Sequence, residues 1–247
     1  MKRTLLPISF TVVAFFLHYL SCPQSYPPLL PPSPDHLLGT TPLGQDALCY
    51  CLKGLWSSLE SALSSAITTF SVLTLISIAS LYFGLEALDS VLGLLAGFPR
   101  FSFLVFLAMI TTLKPAMIGV IVGLFVSVSV AKSLVTKLKQ LERLEFCEAS
   151  RALGAGKLWL FVKHCFPHVK SLIMRYVAIA SATAVYAEAG ASMLGLEDPS
   201  IPSVGKLYTL VASSPGAVLT EAGQVQVLAS ALVTTFIGVT VYFSLKG

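Results

Sequence analysis

From Pro115 to Ala131 the chain reads P-A-M-I-G-V-I-V-G-L-F-V-S-V-S-V-A, without one charged side chain. Such a run must be buried on every side, and it is not alone. Thr4–Leu20 and Val225–Leu245 are similar, and Leu172–Leu196 is interrupted only by Arg175 and Glu188. Leu55–Phe83 carries one acid, Glu60, near its start, and Phe101–Leu113 extends back through V-L-G-L-L-A-G-F-P to Val91. A helix crossing a bilayer needs about 20 mostly apolar residues. Only 11% of the chain is charged, against roughly 25% in a soluble domain. The outer surface is therefore built for lipid. The expectation is an all-α integral membrane protein of about six transmembrane helices, the third and fourth separated only by T-L-K-P.

Lys and Arg set the orientation, because cytoplasmic loops hold an excess of them. With Lys2 and Arg3 inside, Lys132, Lys137, Lys139, Arg143, Arg151, Lys157, Lys163, Lys170 and Arg175 fall in or beside one inner loop, and Lys246 is inside too. Outside are Lys53, Lys114 and Lys206; Arg100 is ambiguous. Both termini are thus expected in the cytoplasm of a multi-pass cell-membrane protein. The first run also reads as a signal peptide with a poor lipoprotein site at Cys22. Tyr19 occupies a position that prefers a branched aliphatic residue, and a retained helix gives an even span count, so it is taken as a span.

The sequence divides into 1–54, a first helix with a proline-rich outer loop, and 55–247, a core of five spans. Prolines between Cys22 and Pro34 exclude regular helix. Gly39, Pro42 and Gly44 mark turns, and Asp46 is placed to cap a short helix, Ala47–Leu52, leading into the second span.

The basic loop, about 141–168, reads as helix, break, helix. Lys132–Gln140 extends the fourth span. Phe146, Ala149, Ala152 and Leu153 recur at helical spacing opposite Glu145, Glu148 and Arg151. Gly154 ends that helix, Gly156 permits a second turn, Lys157–Cys165 resumes, and Pro167 is expected to stop the chain before the fifth span. An amphipathic segment lying on headgroups has the same pattern.

E-A-S-R-A-L-G followed by H-C-F-P resembles the EAA loop of ABC-transporter permeases: Glu-Ala-Ala, three residues, Gly, nine residues, Ile, one residue, Leu-Pro. Glu148, Ala149, Gly154 and Pro167 match in type and spacing; Ser150, His164 and Phe166 depart. H-L-L-G-T-T-P-L-G-Q-D-A-L, D-S-V-L-G-L-L-A-G-F-P and A-E-A-G-A-S-M-L-G-L-E-D-P-S-I-P-S-V-G-K-L resemble, in order, further stretches of the dipeptide/oligopeptide/nickel permeases, in their second (C-type) subunit. Gln45 stands where that pattern has Arg, and Val204 where it has Trp. The resemblance implies a MetI-like type I ABC-importer permease fold with a cytoplasmic coupling helix. It implies as partners cytoplasmic ABC ATPases, a homologous second permease and an extracytoplasmic substrate-binding protein, besides membrane lipid. The coupling residues would be Glu148, Ala149, Ser150, Gly154 and Pro167, and the cargo di- or oligopeptides, with nickel or another small solute as the alternative.

No enzyme is expected, and no cofactor or nucleic acid. G-A-G-K-L is no phosphate loop: the pattern G-x-x-x-x-G-K-[S/T] would need glycine at Arg151 and Ser or Thr at Leu158. ATP hydrolysis is left to separate subunits. Glu188, the acid deep in a span, is costly in lipid and reads either as part of a translocation path or as a hydrogen-bonded packing residue; Ala178, Ala182, Ala184, Ala187 and Ala191 make its surroundings suited to close helix approach. His164, Cys165 and His168 lack a fourth metal ligand. Cys22, Cys49 and Cys51 give no framework, though C-x-C permits metal binding or pairing with another thiol. A proton-coupled secondary transporter would want ionisable residues on several spans and internal repeats; a membrane scaffold would bind no ATPase.

Overall fold

A computed structural model of the chain describes residues 22, 26–80, 100–142 and 144–246. The Thr4–Leu20 run and residues 91–99 of the Val91–Leu113 run lie outside them. Every regular element among the described residues is helical. Four helices are long and apolar enough to cross a membrane: Ala47–Ala79, Pro115–Leu141, Phe161–Met193 and Glu221–Phe243.

We number the helices α1 Ala47–Ala79, α2 Arg100–Ile110, α3 Pro115–Glu142, α4 Glu145–Ala152, α5 Lys157–Leu160, α6 Phe166–Met193, α7 Val204–Ala212 and α8 Glu221–Lys246. The helix expected over Ala47–Leu52 is simply the opening of α1. Asp46 caps it, accepting the Cys49 N–H at 2.9 Å, as its short carboxylate suits an exposed first turn. α1 packs chiefly on α3 and α6, and α6 on α8. Small residues permit this. A Cβ on Gly119 would lie 2.2 Å from the Ser61 carbonyl oxygen, and one on Gly123 2.9 Å from that of Ser65. The α1–α3 backbones therefore meet almost directly, as membrane helices do where apolar burial from water is not the driving force.

Two ends of the bundle differ in kind. At the basic end, Leu73 of α1 and Leu134, Leu138 and Leu141 of α3 bury Leu160, Phe161, Cys165, Val169 and Ile173. At the Asp46 end, Ala47, Cys51, Val185, Val204, Leu207 and Ile237 form another cluster. Outward, α8 shows Leu228, Leu232, Phe236, Val239 and Phe243, all exposed and three or four residues apart. An apolar stripe of that length is at home against hydrocarbon or another membrane helix.

One expectation is corrected. Pro167 does not stop the chain before the fifth span. α5 runs on through a π-helical turn, Phe161–Cys165, into α6. Proline lacks the N–H for an i→i−4 bond, and its ring crowds the carbonyl four residues back. The π turn loosens the winding just ahead of it: the Phe166 N–H reaches five residues back, to the Phe161 carbonyl. Pro167 thereby falls in the first turn of α6, where a missing donor costs least.

Candidate functional site

The basic loop is a corner. α4 ends at Ala152, Gly154 turns with φ +83°, and the Ala155 N–H donates to the Ser150 carbonyl at 3.1 Å. This is the six-to-one bond of a helix closed by a left-handed glycine. No atom lies within 4 Å of where a Cβ on Gly154 would stand; glycine is required there by backbone conformation, not by space. Glu148 is exposed on α4, beside the half-buried Ser150, and Ala149 belongs to the same helix. Leu153, 89% exposed, forms the tip.

The corner is bare on one side and rooted on the other. Ser150, Leu153, Gly154, Ala155, Gly156 and Trp159 line an open depression. Trp159 is half exposed; Lys163 stands 5.6 Å over its ring and His164 meets it edge-on. Behind them Leu160 and Phe161 are 3% and 2% exposed. Burying such side chains is worth about 2 kcal/mol each, which fixes α5 against the end of α3. Pro167 is exposed and lies one turn further on, in α6. The sequence-predicted residues thus fall along one stretch of chain, Glu148, Ala149 and Ser150 on α4, Gly154 in the turn after it and Pro167 in the first turn of the spanning helix α6. His164 and Cys165 lie on α5's continuation, Cys165 pointing into the core. Among the described residues no three of His, Cys, Asp or Glu gather as metal ligands.

A second site sits at the Asp46 end, and the sequence showed only part of it. Glu188 is fully buried. It accepts hydrogen bonds from Ser57 at 3.2 Å and Ser58 at 3.0 Å, both on α1. Beyond it, in the turn after α6, Glu197 is 3% exposed. Its Oε2 accepts from the Ser192 hydroxyl and faces Lys206 Nζ at 3.8 Å. Lys206, on α7, is itself buried and donates to the Asp198 and Ile201 carbonyls. Ser192 and Ser203 bridge at 2.9 Å. Close packing makes the cluster possible: a Cβ on Gly54 would strike the Val204 nitrogen at 2.6 Å, and one on Gly205 the Ala189 carbonyl at 2.6 Å.

Burial first, then the nearby Glu188 carboxylate, push the Glu197 carboxyl up to about 7. Burial likewise lowers the Lys206 ammonium, against the pull of Glu197 and Asp198. Sequence reasoning counted Lys206 as an outer-loop charge and did not single out Glu197. The available signal was a Glu and a Lys nine residues apart around P-S-I-P, a proline-pinned turn that folds one back on the other.

Over this cluster lies the loop of residues 26–46. Gly39 turns at φ +70° against the Leu30 carbonyl. Thr40 donates to the Pro27 carbonyl at 2.7 Å, and Gln226 of α8 donates to the Thr40 carbonyl at 2.9 Å. His36 pairs with Asp46 at 2.7 Å. Cys22 and Cys49 form a disulfide, the pairing that C-x-C spacing alone left open.

The family described as binding-protein-dependent transport system inner membrane component matches residues 84–246. The oligopeptide transport system permease protein OppC of Mycobacterium tuberculosis is 30% identical, over 72% of this chain and 64% of that protein. A putative peptide permease protein of Brucella abortus is 30% identical over 68% and 57%. The dipeptide transport system permease protein DppC of Bacillus subtilis is 28% identical over 68% and 53%. The chain spans less than two thirds of the length of these relatives.

Proposed function

The chain belongs to the binding-protein-dependent transport system inner membrane components, the permeases of ABC importers, and from that membership we propose that it forms, with a second homologous permease, a membrane passage for di- or oligopeptides. An extracytoplasmic binding protein delivers the cargo, and two cytoplasmic ATPases drive the change of access. The names of the similar proteins support peptides as the substrate class.

The observation that carries the mechanism is the corner Glu145–Leu160. It offers a bare apolar tip at Leu153 and a rooted base at Leu160 and Phe161. Its second arm is helically continuous with α6. A partner that grips the tip and moves it therefore displaces a spanning helix, not a slack loop. Packed elements transmit such displacements because cores switch between arrangements and do not deform continuously. Glu148, Ser150 and Gly154 make the gripped face, and Pro167 with its π turn is the joint. In this reading the basic end is cytoplasmic and the disulfide at the other end lies outside, where oxidising conditions favour disulfides.

The test is uptake of labelled dialanine into proteoliposomes that hold this chain with its second permease, ATPases and binding protein. ATP-dependent accumulation is expected, and its loss in Leu153→Asp. No accumulation of dialanine or longer peptides, with nickel or another solute transported instead, overturns the peptide reading.

A further inference from the structure

Toward the basic end, α3 and α6 carry cations and no acids, and the cations begin at one depth. From Pro115 to Leu141 and from Phe161 to Ala187 the chain has no Asp or Glu. Lys132 and Lys137 stand on α3, Lys170 and Arg175 on α6, and all four are exposed. Among the described residues none of the four has an ion-pair partner. The two helices are levelled at the opposite end, where Leu113 bridges Glu197 and the Asp198 N–H donates to the Leu113 carbonyl at 3.0 Å. At 1.5 Å of rise per residue, Lys132 lies about 26 Å along α3 from Pro115, and Arg175 about 27 Å back along α6 from Met193. The hydrocarbon layer of a bilayer is about 30 Å thick. Both cations therefore reach its far boundary together. Lys137 and Lys170 follow at about 33 and 35 Å, the depth of the headgroups.

Each boundary cation also ends an apolar row. Ile179, 41% exposed, stands one turn from Arg175 on the same face of α6. Val128, half-buried, and Leu124, exposed, stand one and two turns from Lys132 on α3. A phospholipid has the matching profile, an anion at the boundary and hydrocarbon along the row. A soluble phosphate gains nothing from the row, and an acidic protein surface does not reach side chains at the edge of the hydrocarbon. The bias that orients a membrane protein asks only for cations on one side. It does not ask that they start at one depth, each at the foot of an exposed apolar row. We propose that these ends of α3 and α6 bind the headgroups of anionic phospholipids, with Lys132 and Arg175 on the phosphates and Lys137 and Lys170 adding attraction. Each Lys or Arg near an anionic surface strengthens such binding about fivefold. Lys170 and Arg175 follow Pro167 on α6, so lipids held there steady the helix into which the corner leads. The site itself does not rest on the transport reading.

The test is native mass spectrometry of the full-length chain in detergent, titrated with phosphatidylglycerol and with phosphatidylcholine of the same acyl chains. Phosphatidylglycerol is expected to bind at concentrations about tenfold lower. Lys132→Gln with Arg175→Gln is expected to remove that preference, and the charge-keeping pair Lys132→Arg with Arg175→Lys to retain it. Lys137→Gln with Lys170→Gln should weaken it in part, and keeps the test decisive should the first neutral pair fold poorly. Lys114→Gln, a cation at the opposite end, should leave it unchanged. Equal binding of the two lipids overturns the site, as does a preference that survives both neutral pairs or that Lys114→Gln abolishes as fully. Glycerol phosphate carries the anion without the chains; competition by it at the lipid's own concentration would show a soluble-phosphate site and overturn the lipid assignment.

Discussion

At the scale of single residues, Glu197 sets a pH dependence whose sign is fixed. Burial and Glu188 raise its carboxyl from the ordinary 4.5 to about 7. The folded chain therefore holds a proton that the unfolded chain releases. That contribution to stability is complete below about pH 4.5 and is lost as pH rises to about 7. The thermal midpoint should fall across that window and flatten above it, and Glu197→Gln should abolish the slope. A slope unchanged in the variant would remove Glu197 as its source. Lys206 is tied to the same cluster. Lys206→Met leaves both acids without their buried cation, a change that costs about 3 kcal/mol. Combining it with Glu197→Gln should recover part of the loss, since groups in contact do not act additively; full additivity in a denaturation series would show that the two do not interact. These residues were half legible in the sequence. Glu188 announced itself as an acid within an apolar run, and the structure adds its serine partners on α1. Glu197 and Lys206 did not, because short-range pattern cannot show that a turn folds an outer charge inward.

At the scale of elements, α4 and α5 depend on Gly154. A β-branched side chain is strained at φ +83°. With nothing nearby to clash, Gly154→Val should act on the angle between the two short helices and leave the spans intact. Limited proteolysis should cut the loop faster while helical content stays constant; unchanged proteolysis would mean that the corner does not need its left-handed turn. The corner was readable because its break is chemical, a glycine after an amphipathic turn. Its continuity with α6 was not, because proline argues for a stop unless the preceding turn is widened, and widening is decided by how Phe161 and Cys165 pack. The loop of residues 26–46 is held by the Cys22–Cys49 disulfide, which closes 27 residues. A crosslink of that length is worth up to about 3.5 kcal/mol in the chain-entropy account. Cys49→Ser should lower the unfolding midpoint under oxidising conditions and make no difference under reducing ones; equal midpoints in both would show that the loop is held without it.

At the scale of the whole molecule, the apolar runs dictated the architecture, because a span needs only length and apolarity and both are visible in the residues. What joins the spans was less visible: α7 and the π turn arise from contacts between distant segments. The assembled picture is a helical bundle with a small-residue interior and an apolar outside. At one end it carries the corner at Gly154, at the other a polar cluster under a crosslinked loop. Its central claim is that the corner is where a cytoplasmic ATPase takes hold. Ala155→Cys places a thiol beside the tip, and photo-crosslinking from it in membranes holding the complete transporter tests that claim most directly. The expected result is a crosslink to the ATPase subunit that diminishes when Glu148→Lys is added. A crosslink only to lipid or to the second permease, with the ATPase untouched, would contradict the account at its centre.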